Sequence, residues 1–294
     1  MTVNGGELLA RALSDGGITE VFTLHGGHLD AFYVACGDHG IRLTDTRHES
    51  SAGHAADAYA RLTGNVGVCV VTSGPGFTNA YTAIVNAYLD RTPTLFIVGA
   101  PPLRETETNP LQGGFDQVAA AEPVTKWAYR LTEARRIPEI VALAIRKATS
   151  GAPGPVLLEV PIDVMFGQTD AAAVRRPATG AVPSAPAPDR AAVQQALDVL
   201  AEAKNPVIIS GGGVVFARAA EELVSFAETV GVPVFSPGKS DGAIPAGHRL
   251  AAGGLLTDVE GADADAGGGQ LVRQLRQGRG EGVAAHQVVG HRPD

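Results

Sequence analysis

Val66-Gly67-Val68-Cys69-Val70-Val71-Thr72-Ser73-Gly74-Pro75-Gly76 begins as an unbroken apolar run and ends in a glycine and proline turn. A strand with one wet face alternates apolar and polar residues. A β-branched run without polar positions needs cover on both faces, as in the middle of a parallel sheet. Past the turn, Ala80, Ala83, Ile84, Ala87 and Tyr88 recur at helical spacing, and beyond Pro93 the segment Thr94 to Val98 returns to a strand pattern. Strand, helix and strand in that order predict a βαβ unit with parallel strands.

The same alternation extends upstream. Leu8, Leu9, Ala12 and Leu13 give a helix over Gly5 to Ser14, Val21 to Leu24 a short strand, and His25-Gly26-Gly27-His28 the loop that follows it. Arg42 to Thr46 reads as another strand. Ala52, Ala55, Ala56, Tyr59 and Ala60 then mark a helix ending at Gly64, with a small-residue face suited to close packing. Downstream, Ile140, Ala144 and Ile145 mark a helix, and Val156 to Val160 a strand that Pro161 ends. Residues 1–170 therefore read as one α/β domain built on a doubly wound parallel sheet.

Between 171 and 189 the composition shifts to Ala, Pro and Arg, and Pro177, Pro183, Pro186 and Pro188 forbid a continuous helix or central strand, which predicts a linker. A second pattern follows: helix Arg190 to Ala203, strand Val207 to Ser210, the turn Gly211-Gly212-Gly213, helix Ala217 to Val230 and strand Val232 to Phe235. The glycine turn lacks a full dinucleotide fingerprint and reads as a strand-to-helix connection. Residues 190–250 predict an incomplete second α/β domain. Residues 251–294 predict an irregular tail, because Asp263 to Gly269 and Arg279 to Gly282 carry too little periodic apolar surface for a sheet.

The totals agree with a globular small-molecule protein. The chain has 294 residues, 45% apolar and 18% charged, with 37 glycines and 19 prolines for many tight turns. A formal net charge of -8 without a Lys/Arg cluster argues against nucleic acid as a partner. Cys36 and Cys69 each sit in an apolar stretch and read as buried packing residues rather than a disulfide or thiolate metal site. No stretch approaches a membrane span and the start carries no basic-then-apolar leader, so the cytoplasm is the expected location.

Four segments, taken jointly and in order, resemble the pyrimidine-binding domain of thiamine-diphosphate enzymes of the acetolactate synthase and benzaldehyde lyase type. They are His25-Gly26-Gly27-His28, Thr46-Arg47-His48-Glu49 running into the alanine-rich helix, Thr72-Ser73-Gly74-Pro75-Gly76 with Asn79, and Asp90-Arg91-Thr92-Pro93. The resemblance implies thiamine diphosphate as cofactor. It gives Glu49 the role of hydrogen-bonding the pyrimidine ring and promoting its imino tautomer, which requires a carboxyl group sharing a proton in a sheltered site. Alone, Glu49 would read as a solvated first-turn residue at a helix N-terminus. The resemblance further implies that His28 relays protons from a substrate hydroxyl and that Gln112, in Leu111-Gln112-Gly113-Gly114, contacts the adduct or substrate through an amide able to donate and accept. Gly26, Gly27, Thr72, Ser73, Gly74, Pro75, Gly76 and Asn79 are the expected cofactor-binding positions, the glycines permitting positive φ and close approach.

Magnesium is also implied, but the Gly-Asp-Gly segment and following asparagine that would ligate it are not found, and the scattered tail aspartates offer no octahedral oxygen framework. Loss of apolar periodicity after Leu250 gives the expectation of a shifted reading frame or a fragment. The expected activity is carbon-carbon lyase or carboligase chemistry on aldehydes or 2-hydroxy ketones. His28 favours it over the alternatives of acetolactate synthesis and 2-oxo acid decarboxylation. A competing reading is a noncatalytic domain, or a subunit that needs a diphosphate-binding chain. Expected partners are a small-molecule carbonyl substrate and either further copies, as a homodimer or homotetramer, or that second chain.

Overall fold

The computed structural model describes residues 2–105, 108–109, 112–177 and 186–254. The chain divides into two compact units, Met1–Pro186 and Ala187–Asp294. The first contains β1 (Thr2–Asn4), α1 (Gly5–Asp15), β2 (Glu20–Thr23), α2 (Asp30–Cys36), β3 (Arg42–Asp45), α3 (Glu49–Thr63), β4 (Gly67–Val71), α4 (Pro75–Asp90) and β5 (Thr94–Ala100). It continues with α5 (Gln117–Ala121), β6 (Trp127–Arg130), α6 (Ile137–Thr149), β7 (Val156–Pro161), α7 (Ile162–Met165) and β8 (Gln168–Asp170). Strands β2 to β7 form one sheet in the order β3-β2-β4-β5-β7-β6, with every pairing parallel, while β1 and β8 form a separate antiparallel pair.

The apolar runs explain the two layers of helices. Every residue of β4, β5 and β7 is buried. Val68, Val70, Leu95, Ile97, Val156, Leu158 and Val160 pack with Leu9, Phe32 and Ile140, from α1, α2 and α6. The intervening Cys69, Val71, Phe96, Val98 and Leu157 pack with Ala52, Ala80 and Ala121, from α3, α4 and α5. Alternating side chains thus feed opposite faces, which makes the sheet doubly wound. Both cysteines are free and buried, and burial pushes the Cys36 thiol up to about 12.

Small residues set how closely α3 and α4 approach each other and the sheet. A Cβ on Gly53 would stand 2.5 Å from Ala83 Cβ and 3.2 Å from the Phe96 ring. His48 caps α3, its Nδ1 accepting from Ser50 N at 3.2 Å, and Gly64 closes the helix at φ 69°.

Two elements are weaker in the sequence pattern than in the structure. Helix α2 buries only Phe32, Ala35 and Cys36, too few for a clear period, and β6 is half-buried along its whole length as an edge strand.

The second unit contains α8 (Arg190–Glu202), β9 (Ile208–Ile209), α9 (Gly212–Phe216), α10 (Ala220–Val230) and β10 (Val234–Phe235). Strands β9 and β10 are parallel, and Ala251 bridges Val234 in the same sense. The helix expected from Ala217 begins at Ala220 instead: Gly212 and Gly213 belong to α9, and Arg218 at φ 53° separates the two helices. Residues 178–185 of the expected linker, 255–294 of the expected tail, and Leu111 lie outside the described residues.

Gly53→Ala forces the α3/α4 contact apart, and we expect a stability loss of about 1–3 kcal/mol in chemical denaturation. Combination with Ala83→Gly should recover part of that loss, seen as a non-zero coupling in the double-mutant cycle.

Candidate functional site

In the sheet order, the chain leaves β2 toward β3 and then crosses back over β2 to β4. Loops leaving the carboxyl ends of β2 and β4 therefore part in opposite directions and open a crevice, the usual ligand position in open parallel sheets. His25-Gly26-Gly27-His28 follows β2 and Thr72-Ser73-Gly74 follows β4, so both motifs border this crevice.

A hydrogen bond spans it: His28 Nδ1 lies 3.0 Å from Thr72 Oγ1. A Cβ on Gly26 would collide with the Thr72 side chain, and one on Gly76 would come within 2.8 Å of Thr72 Cγ2. Close approach, rather than positive φ, is what Gly26 provides, because its backbone is extended at φ -157°. Gly27 meets little; its nearest contact would be Asp30 Oδ2 at 3.8 Å. His28 is half-buried, and desolvation lowers its pKa below the ordinary 6.5. His25 is engaged elsewhere, Nε2 to Asp30 Oδ1 at 2.8 Å on an exposed flank.

Glu49 is the first residue of α3 and only 8% exposed. Its Oε2 accepts from Asn79 Nδ2, on α4, at 2.9 Å. Asn79 is its only hydrogen-bond partner among the described residues. The thiol of fully buried Cys69 is pushed up by burial first and by the Glu49 charge second. Glu49 is thus a sheltered carboxyl group with one oxygen held by an amide and the other without a hydrogen bond among the described residues.

Gln112 joins from the loop after β5. Its backbone is left-handed at φ 58°, and its carbonyl accepts from Ser73 Oγ. Gly74, at φ 61°, lies so close that a Cβ there would stand 2.9 Å from Gln112 Cα. The Gln112 side-chain amide makes no hydrogen bond to the described residues. Pro75 starts α4, where its fixed φ suits the first helical turn and its missing N–H is not needed. The segment from Thr72 to Asn79 therefore touches all three groups: His28 through Thr72, Gln112 through Ser73 and Gly74, and Glu49 through Asn79.

Sequence reasoning missed the support under this segment. Gln117, 3% exposed, accepts from Gly74 N–H at 2.9 Å and donates to Gly99 O at 3.2 Å and to Glu159 Oε2 at 2.9 Å. Glu159, fully buried in β7, accepts from Arg130 Nε, and Arg130 Nη2 reaches Asp116 Oδ1 at 3.1 Å. An acid inside the apolar run Val156 to Val160 was the available signal, since a buried carboxylate requires partners. Among the described residues no group of three or more His, Cys, Asp or Glu side chains could hold a metal ion. Among them, too, no helix is long and apolar enough to cross a membrane.

The first unit is thus a doubly wound parallel α/β unit with a sheltered carboxyl group at the start of α3. Residues 3–120 match the N-terminal TPP binding domain of thiamine pyrophosphate enzymes, and residues 193–264 match the central domain of the same enzymes. Among curated relatives, a probable acetolactate synthase large subunit from Methanocaldococcus jannaschii is 36% identical over 254 residues, covering 85% of this chain and 43% of the relative. 2-hydroxyacyl-CoA lyase 2 of Mus musculus is 35% identical over 280 residues, with coverages of 84% and 44%. Glyoxylate carboligase of Escherichia coli O157:H7 is 39% identical over 246 residues, with coverages of 82% and 41%. The chain belongs to the thiamine pyrophosphate enzyme family and spans about two fifths of the length of these relatives.

The neutral form of His28 is favoured by folding, which fixes a sign. Its folded pKa lies below the unfolded 6.5, so its contribution to stability falls as pH drops through 6.5 and levels off below the folded value. An NMR titration should place the His28 midpoint below 6.5; a midpoint at or above 6.5 would contradict the half-buried placement.

Proposed function

We propose that the first unit binds the aminopyrimidine of thiamine diphosphate, and that the complete enzyme makes or breaks the bond between a carbonyl carbon and its hydroxyl-bearing neighbour. The observation that carries this is Glu49, a nearly buried carboxyl group with one oxygen fixed by Asn79 and the other without a hydrogen bond among the described residues. A pyrimidine ring nitrogen needs a group of that kind, able to share a proton away from water. Bound thiamine diphosphate would supply a nucleophilic carbon that adds to carbonyl groups. Glu49 would hold and exchange the proton, Asn79 would keep the carboxyl plane fixed, and the backbone of Gly26 and of Thr72 to Gly76 would line the cofactor.

His28 supports an aldehyde or 2-hydroxy ketone as substrate, in the manner of a benzaldehyde lyase. Thr72 fixes one ring nitrogen, and burial favours the neutral imidazole, which can take a proton from a hydroxyl and return it. The Gln112 amide, without a hydrogen bond among the described residues, would hold the same hydroxyl. The names of the lyase and carboligase relatives accord with this reading. The acetolactate synthase relatives support a second one, condensation of 2-oxo acids. Magnesium ligands and the diphosphate site would come from outside the described residues, in further sequence or a partner chain, and a homodimer or homotetramer is the proposed assembly.

Glu49→Gln keeps the shape and the Asn79 contact but removes the exchangeable proton. In the assembled enzyme, carboligation should fall by about 10²-fold or more, the lower range for a lost general acid-base group, with an unchanged melting temperature. Full activity in that variant would sink the proposal. Aldehyde carboligation that is lost in His28→Ala identifies the first substrate class; product from pyruvate that is indifferent to His28→Ala identifies the second.

A further inference from the structure

Two side chains assigned to the substrate, His28 and Gln112, rest on two backbones. A Cβ on Gly99 would come within 2.8 Å of His28 Cβ, and one on Gly74 within 2.9 Å of Gln112 Cα, so neither neighbour has room to shift inward. One side chain is bonded to both backbones: Gln117, through Gly74 N–H at 2.9 Å and Gly99 O at 3.2 Å.

We propose that Gln117 is the positioning residue that holds His28 and Gln112 at a fixed separation by clamping the ends of β4 and β5 together. The inference rests on the assignment of those two residues in the proposed function. Only an amide makes all three bonds, because its oxygen accepts from Gly74 N–H while its two N–H groups donate to Gly99 O and to Glu159 Oε2. Its orientation is set by Glu159 Oε2, which accepts the second N–H and would repel the amide oxygen. Glu159 is in turn fixed by Arg130, and Arg130 by Asp116, whose Oδ1 also accepts from Val118 and Ala119 N–H at the start of α5. The clamp therefore joins β4, β5, β6, β7 and α5. Glu159, Arg130 and Asp116 are the charged groups that face it.

The test uses the full chain and needs no cofactor. In Gln117→Ala, the Gly74 amide should exchange with deuterium about fivefold faster or more, the factor for one lost hydrogen bond of typical net strength. The His28 midpoint should move up toward 6.5 as its surroundings loosen, while the Val98 amide keeps its protection. A folded Gln117→Ala chain with unchanged Gly74 exchange and unchanged His28 titration would overturn the proposal.

Gln117→Glu covers the case in which the alanine variant does not fold. At about pH 5 the introduced carboxyl group, while neutral, can accept from Gly74 N–H and donate its single O–H to Gly99 O, which keeps the strand ends tied and gives up the bond to Glu159. As pH rises the introduced carboxyl group loses that proton and its charge faces Gly99 O and Glu159, so Gly74 exchange, corrected for its intrinsic pH dependence, should accelerate relative to the wild type. A corrected rate that tracks the wild type across that range overturns the proposal. If instead His28→Ala and Gln112→Ala leave carboligation intact while the exchange results stand, the substrate assignment has failed and the clamp has not.

Discussion

The turn from Thr72 to Gly76 is the constraint on which the candidate site depends. β4 is buried along its whole length between β2 and β5 and under helices on both faces, so the point at which the chain leaves the sheet cannot drift. Immediately beyond, the backbone passes under Gly26, packs against Gln112 and enters α4 at Pro75. No side chain fits at Gly26 or Gly76 without displacing Thr72, and none fits at Gly74 without displacing the Gln112 backbone. A turn packed this closely transmits position rather than absorbing it, because interiors at crystal-like density have no slack for small shifts.

Around that turn, polar groups are concentrated where the sheet can tolerate them. Buried polar side chains occur elsewhere in the unit, Glu20, Asp57 and Thr94 among them, but Thr72, Ser73, Gln117 and Glu159 gather around the turn itself. Burying Glu159 is costly, since a carboxylate loses several kcal/mol of hydration in a protein interior. Arg130, directly opposite in the β6/β7 register, and the Gln117 amide offset that loss by occupying both its oxygens. Such a pair adds little net stability over an apolar alternative. Its physical consequence is orientation, since each member has one satisfactory arrangement and the Gln117 amide cannot flip without opposing like partial charges.

The proposed chemistry divides between two environments that the fold makes different. Glu49 lies at a helix start, sheltered and bonded to Asn79, with its charge felt by the buried Cys69 thiol. His28 is half-exposed across the crevice, where a neutral imidazole can meet a mobile hydroxyl.

Local sequence determined the layered architecture, because apolar runs of strand length and alanine faces at helical spacing depend on nearest neighbours and on burial alone. Val66 to Gly76, the alanine face after Glu49 and the run Val156 to Val160 each carried that information in a dozen residues or fewer. The resemblance added Glu49, His28 and Gln112 as candidates, but not what holds them. Only the tertiary structure decided that Asn79 meets Glu49, that Thr72 meets His28, and that Gln117 ties Gly74 to Gly99, because these partners are separated by 30, 44 and up to 43 positions along the chain. Such pairings follow from strand order, and strand order is set by which crossings bury the most apolar surface in the whole sheet, a quantity that no single segment contains.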